Sequence, residues 1–143
     1  MKKKTEYQIS SSVSDGILEI VVTGELAKSA RDNNMLVNEV VSITKTKSLK
    51  NVLVDIRALK GRSGILETYE RVRHYPHHMY ELHFAIVDIM ENADFQSFHE
   101  STTANAGMSL EWFSNINAAR AWLKSKHLPF LRHLTERNFL SKK

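Results

Sequence analysis

The sequence predicts a single α/β domain with a mixed, mostly parallel sheet, an N-terminal antiparallel hairpin and the element order ββαβαβαβα. Three observations predict it. Two short apolar runs, Val52-Leu53-Val54 ending at Asp55 and Phe84-Ala85-Ile86-Val87 ending at Asp88, have the unbroken aliphatic character of strands buried on both faces. A helical pattern separates them, which is the βαβ rhythm of a parallel sheet. Upstream, two alternating segments flank Ser14-Asp15-Gly16, the turn chemistry of a hairpin.

Taken in order, Thr5 to Val13 alternates through Tyr7, Ile9, Ser11 and Val13 as an edge strand, and Ile17 to Thr23 returns beside it. Gly24-Glu25 is expected to break that strand. Ser29 can cap a helix whose apolar positions, Leu36, Val37, Val40, Val41 and Thr44, keep the helical period. The run Lys45-Thr46-Lys47-Ser48 ends it, with lysines at the negative end of the dipole. After the central strand, a basic glycine-punctuated loop from Arg57 to Gly64 leads into a second helix. Ile65, Leu66, Tyr69 and Val72 are expected on its buried face, with Glu67, Glu70, Arg71 and Arg73 in solvent and an end before Pro76. A third helix carries Phe95, Phe98 and Thr102, with Asp94 as cap and Gly107 as stop. Leu110 and Trp112 mark a last strand. Asn115 then caps a helix with Ile116, Ala119, Trp122 and Leu123 on one face, both tryptophans reading as core anchors.

With 143 residues, 42% of them hydrophobic and 25% charged, the composition is that of one globular domain with a full core. There are no cysteines, which excludes disulfides, thiolate catalysis and cysteine-ligated metal centres. The formal charge of +4 is concentrated towards Lys2, Lys3, Lys4, Lys142 and Lys143, without the aromatic and basic pattern of an RNA-binding strand or a zinc-finger spacing. Nucleic-acid binding is therefore not expected. The basic start is followed by Thr5-Glu6-Tyr7-Gln8 instead of an apolar signal core, and no stretch reaches the length of a membrane span. A cytoplasmic protein is the expectation.

Gly24-Glu25-Leu26, Val52-Leu53-Val54-Asp55-Ile56, Ser63-Gly64-Ile65 and Ala118-Ala119-Arg120-Ala121-Trp122-Leu123 together resemble the STAS superfamily, in its SpoIIAA-like, STAS/SEC14 branch. The resemblance covers roughly Ile9 to Leu123 and implies a SpoIIAA-like domain at 5–126. It also implies a non-enzymatic regulatory or ligand-binding module, one that docks a protein partner or a small anionic or lipid-like ligand. Members of the anti-sigma-factor-antagonist type carry a phosphorylated serine in an Asp-Ser-Ser-Gly stretch. With Ser63-Gly64 set on its last two residues, Arg62 falls at the phosphorylated serine and Gly61 at the aspartate, so this chain departs from that switch.

The residues themselves offer two candidate sites. Arg57, Lys60, Arg62, Ser63 and Gly64 crowd the start of the second helix, where unpaired N–H groups and the positive dipole end favour an anion. Arg62 would supply a bidentate contact and Ser63 its hydroxyl. The alternative is equally open: Ser63 as an N-cap in a solvated basic loop. Asp55 and Asp88, ending adjacent strands, are the second candidate. They would suit a divalent-metal-dependent hydrolase or phosphoryl-transfer enzyme, or else simply bond the amides of their own turns. His74, His77, His78 and His83 read as a polar surface loop because Pro76 disrupts any shared helical face. His99-Glu100 lacks the second histidine of a zinc-protease helix, Thr103 standing in its place. No catalytic residue, metal site or cofactor is expected. Beyond the domain, 127–143 reads as an amphipathic extension, with Leu128, Phe130, Leu131, Leu134, Phe139 and Leu140 too apolar to be left in water. The surface it would cover is the chain's own or that of a second copy, the latter giving a homodimer.

Overall fold

The computed structural model describes residues 6–26, 30–62 and 64–126. The expected cap Ser29, the loop residue Ser63 and the extension at 127–143 lie outside the described residues. Strands β1 (Glu6–Ser14) and β2 (Ile17–Glu25) form the hairpin, with Asp15 and Gly16 both at positive φ in a two-residue turn. That backbone twist matches the twist of the strands it joins. Helix α1 (Ala30–Lys47) follows, then the central strand β3 (Asn51–Asp55). A two-residue strand β4 (Leu59–Lys60) precedes α2 (Ile65–Val72). A 3₁₀ turn at His77–Glu81 leads into β5 (His83–Val87), and a second at Met90–Asn92 into α3 (Ala93–Asn105). Strand β6 (Ser109–Phe113) and α4 (Ile116–Ser125) complete the domain.

The sheet runs β1-β2-β3-β5-β6, antiparallel only at the hairpin and parallel elsewhere. Two apolar clusters fill its faces because side chains alternate along each strand. Val52, Val54, Phe84 and Ile86 point to the face covered by α1 to α3, while Leu53, Ala85 and Val87 meet Ala119, Trp122 and Leu123 of α4. Asn51, fully buried, donates to the carbonyl of Leu123 at 3.1 Å and so fixes the last turn of α4 to the sheet. Asn115 caps α4 through the amides of Asn117 and Ala118, as its sequence position predicts.

Four local expectations change. Strand β2 does not stop at Gly24. It runs through to Glu25 because Gly24, at φ +99°, lets the carbonyl of Glu6 approach where a Cβ would lie only 2.2 Å away. The loop after β3 then adds β4 alongside this far end of β2, pairing Gly24 with Leu59 and Glu25 with Lys60. Helix α2 turns Thr68 and Val72 inward and leaves Leu66 72% and Tyr69 43% exposed, and Arg71 is partly buried. Helix α3 buries Gln96 and Thr103 ahead of its phenylalanines, and Asn92 rather than Asp94 occupies its N-cap position.

Candidate functional site

The loop from β3 to α2 is held from inside. Arg62 spends every N–H of its guanidinium on the protein: Nε and Nη2 clasp the two oxygens of Asp88 at 3.1 and 2.7 Å, Nη2 also reaches the Ile56 carbonyl, and Nη1 donates to the carbonyls of Leu59 and Gly61. Its side chain is 12% exposed and that of Asp88 0%. Asp88 also accepts from the Ile89 amide, from Asn92 Nδ2 and from Gln96 Nε2 at 2.7 Å. A buried carboxylate with one charged and three neutral donors is fully compensated. Gly61 makes the turn possible, since at φ +96° an added Cβ would sit 2.9 Å from the Leu26 carbonyl.

This differs from the expected direction of the site. Arg62 faces the protein interior and has no N–H left for an outside anion. Arg57 turns onto Asp55, donating from its backbone amide, Nε and Nη2 at 3.1, 3.0 and 2.8 Å. Burial pushes the Asp55 carboxyl up, but the bonds and charge of Arg57 outweigh it and hold its pKa below the ordinary value. At the start of α2, the Gly64 amide donates to Glu67 Oε1 at 3.2 Å, so a carboxylate of the chain's own occupies that end of the helix. Lys60 and Gly64 are exposed.

The carboxylate pair is not brought together either. Asp55 is in register with Val87, one residue short of Asp88, so alternation sends the two side chains to opposite faces of the sheet. Asp55 lies on the α4 face within the field of Arg120, whereas Asp88 joins Gln96 of α3. Each is neutralised by its own arginine. Among the described residues no three His, Asp or Glu side chains are grouped to hold a metal ion. The histidines separate as well: His78 meets Thr44, His83 meets Ser109, and His74 bonds the Glu70 carbonyl.

Behind the loop, between the sheet and helices α1 to α3, lies an apolar cavity of about 140 Å³. Leu59, Gly61 and Arg62 form one wall, Val40 of α1 and Ile86 of β5 others. A larger surface groove between α1 and α2, about 610 Å³, shares Val37, Val41, Arg71 and Tyr75 with it, so the two spaces adjoin at these four side chains. Beside Arg62, Arg71 and Tyr75, α3 contributes two polar side chains to the cavity lining, Gln96 and His99. Gln96 is fully buried, and its Oε1 has no hydrogen-bond partner among the described residues; the same holds for Nδ1 of His99 one turn on. Burial, assisted by the charge of Arg71, lowers the His99 pKa from 6.5 to about 4, so the ring is neutral at physiological pH. Burial likewise raises the phenol of Tyr75, an effect that Arg71 partly offsets. In the sequence Gln96 draws no notice, and His99 is weighed only as the first half of a zinc-protease motif that Thr103 rules out. The available signal was their spacing with Thr103, which puts three polar side chains on one helical face.

The hairpin, the parallel strands and the division of helices between the two faces make this a SpoIIAA-like fold of the STAS type. Several solved structures share it, among them the following two. One is an anti-sigma factor antagonist from Mycobacterium paratuberculosis, with a TM-score of 0.55 and 14% identity over 87% of this chain and 99% of that one. The other is an uncharacterised protein with a SpoIIAA-like fold from Shewanella loihica PV-4, with a TM-score of 0.51 and 19% identity over 86% of this chain and 98% of that one. No protein-family model matches the chain, and no curated protein matches it significantly. No helix among the described residues is long and apolar enough to cross a membrane.

Proposed function

We propose that the protein is a non-enzymatic regulatory or ligand-binding module of STAS-like type, in which the apolar cavity takes a small molecule and the β3–α2 loop in front of it reports occupancy to a protein partner. The observation that carries this reading is that Leu59, Gly61 and Arg62 are at once the cavity wall and the anchored side of the loop. A ligand touching that wall changes the loop from within. The outer side of the same sheet edge offers Lys60 and Gly64, with Leu66 72% and Met90 60% exposed, an apolar and basic surface suited to a partner. The name of the mycobacterial structure, an anti-sigma factor antagonist, supports a regulatory partner for the fold. The separation of Asp55 from Asp88, each held by an arginine, argues against the alternative of a metal-dependent hydrolase.

The size of the cavity bears on the ligand expected from sequence. A space near 140 Å³ matches an engineered cavity of about 150 Å³ that holds benzene, and is well below the roughly 300 Å³ at which drug-sized pockets begin. The buried part of the ligand is therefore about one ring in size, not a nucleotide or a lipid headgroup. Thermal unfolding of the full chain tests this. Toluene at saturating concentration is expected to raise the melting temperature, ligand in hundredfold excess over its dissociation constant being worth about 2.7 kcal/mol. Val40→Phe, which fills the cavity from α1, should remove the shift. Equal stabilisation of the filled variant would place binding elsewhere.

A further inference from the structure

The two edges of the sheet are finished differently. Strand β6 is five residues long, carries Glu111 at its centre, lies against α3, and has its Trp112 amide taken by Glu100 Oε2 at 3.0 Å. A short strand, a charge and a covering helix are devices by which natural sheets block further pairing at an edge. Strand β1 has none of them. It runs nine residues, pairs with β2 one to one without a bulge, and holds no charge and no proline from Tyr7 to Ser14. Consecutive residues Ser10 to Ser14 are exposed, so both faces of the strand's second half are open. Among the described residues no strand pairs with its outer edge. Val13 is left 52% exposed on the face that carries Leu18 of the core.

We propose that β1 is a homodimer interface, pairing antiparallel with β1 of a second copy about a two-fold axis through Ser10. A second copy is the occupant because the strand is complementary to its own reverse. Centred on Ser10, every residue of Glu6–Ser14 finds a partner: Ser10 meets Ser10, Ile9 meets Ser11 and Gln8 meets Ser12 of the other copy. Tyr7 falls opposite Val13, an aromatic against a β-branched residue, so the exposed valine is covered at both ends of the interface. Glu6, the one charge on the strand, falls opposite Ser14, and no like charges meet. A shift of two residues either way leaves two residues of each strand unpaired and separates Tyr7 from Val13. Because the pairing is antiparallel, the parallel strands of the two copies run in opposite directions, and their β3–α2 loops stand at opposite ends of the dimer.

Sedimentation equilibrium of the 143-residue chain across the micromolar range tests the pairing. A single strand pair is a small interface, so the mass is expected to rise with concentration from 16.4 kDa towards twice that value. One lysine added at either of two positions then separates register from charge. Ser10→Lys sets two ammonium groups directly opposite each other and should weaken the dimer at least about tenfold. Ser14→Lys brings the same charge opposite Glu6 of the other copy, and should leave the dimer as tight or tighter. Both serines are exposed in the single chain, so neither substitution disturbs the fold, which circular dichroism checks. A monomer at every concentration would overturn the proposal. So would a dimer indifferent to Ser10→Lys, which would place the interface elsewhere, the segment 127–143 included. A dimer weakened equally by both lysines would overturn it as well.

Discussion

Arg62→Met is expected to destabilise the domain by about 3–5 kcal/mol, the range for removing one partner of a buried ion pair. The reason is what the substitution leaves behind. Asp88, with a side chain 0% exposed, keeps three neutral donors but loses the guanidinium that clasps both of its oxygens. Ile56, Leu59 and Gly61 lose the donors that hold the loop in its turn at the same time. Against a total stability of about 5–15 kcal/mol for an ordinary domain, this is a large fraction. Urea denaturation measures it, and the Asp88→Asn background supplies a control. Removing the charge that Arg62 compensates should make Arg62→Met cheaper by at least about 1 kcal/mol in that background. A loss below about 1 kcal/mol for Arg62→Met alone would mean that the guanidinium is dispensable and that the loop is held by its backbone.

The second large effect is a dependence of stability on pH. The unfolded chain protonates His99 near 6.5, whereas the folded protein does so only at about 4, so the unfolded state binds more protons between those values. Stability from the neutral ring is complete above pH 6.5 and is lost as the pH falls towards 4, on the order of 2–3 kcal/mol across the window. Asp55 acts in a different range. Its folded pKa is depressed below 3.8, so its contribution is present above that value and lost only below it. His99→Leu should flatten the profile between pH 6.5 and 4 and leave the steeper acid limb in place. A profile unchanged by that substitution would show that His99 is not the group that titrates.

Much of the scaffold was legible in the sequence, and for identifiable reasons. Val52 to Val54 and Phe84 to Val87 are unbroken apolar runs, and a strand buried on both faces has no other signature. The hairpin followed from Asp15-Gly16 and the α4 cap from Asn115, each a residue type with a local backbone role. The site was less legible because it depends on register and on polar side chains in the core. That Asp55 and Asp88 face opposite ways follows from Asp55 pairing with Val87, a fact about two strands that neither strand encodes alone. Helix α2 misleads in the same manner, since its inward face is built from Thr68 and Val72 while Leu66 and Tyr69 look outward. A fully buried glutamine runs against its usual preference for the surface, and only the fold places Gln96 between Asp88 and the cavity. Arg62 was singled out for its charge, yet its direction is set by Asp88, 26 residues away in sequence.

The most direct test of a ligand site behind the β3–α2 loop is an amide chemical-shift titration of the 143-residue chain with phenol, alongside Val40→Phe. The largest perturbations are expected at Leu59, Gly61 and Arg62 in the loop and at Gln96 and His99 on α3, saturating together and vanishing in the filled variant. Perturbations confined to the opposite face of the sheet, around Glu19 and Arg120, or persisting unchanged in Val40→Phe, would contradict it.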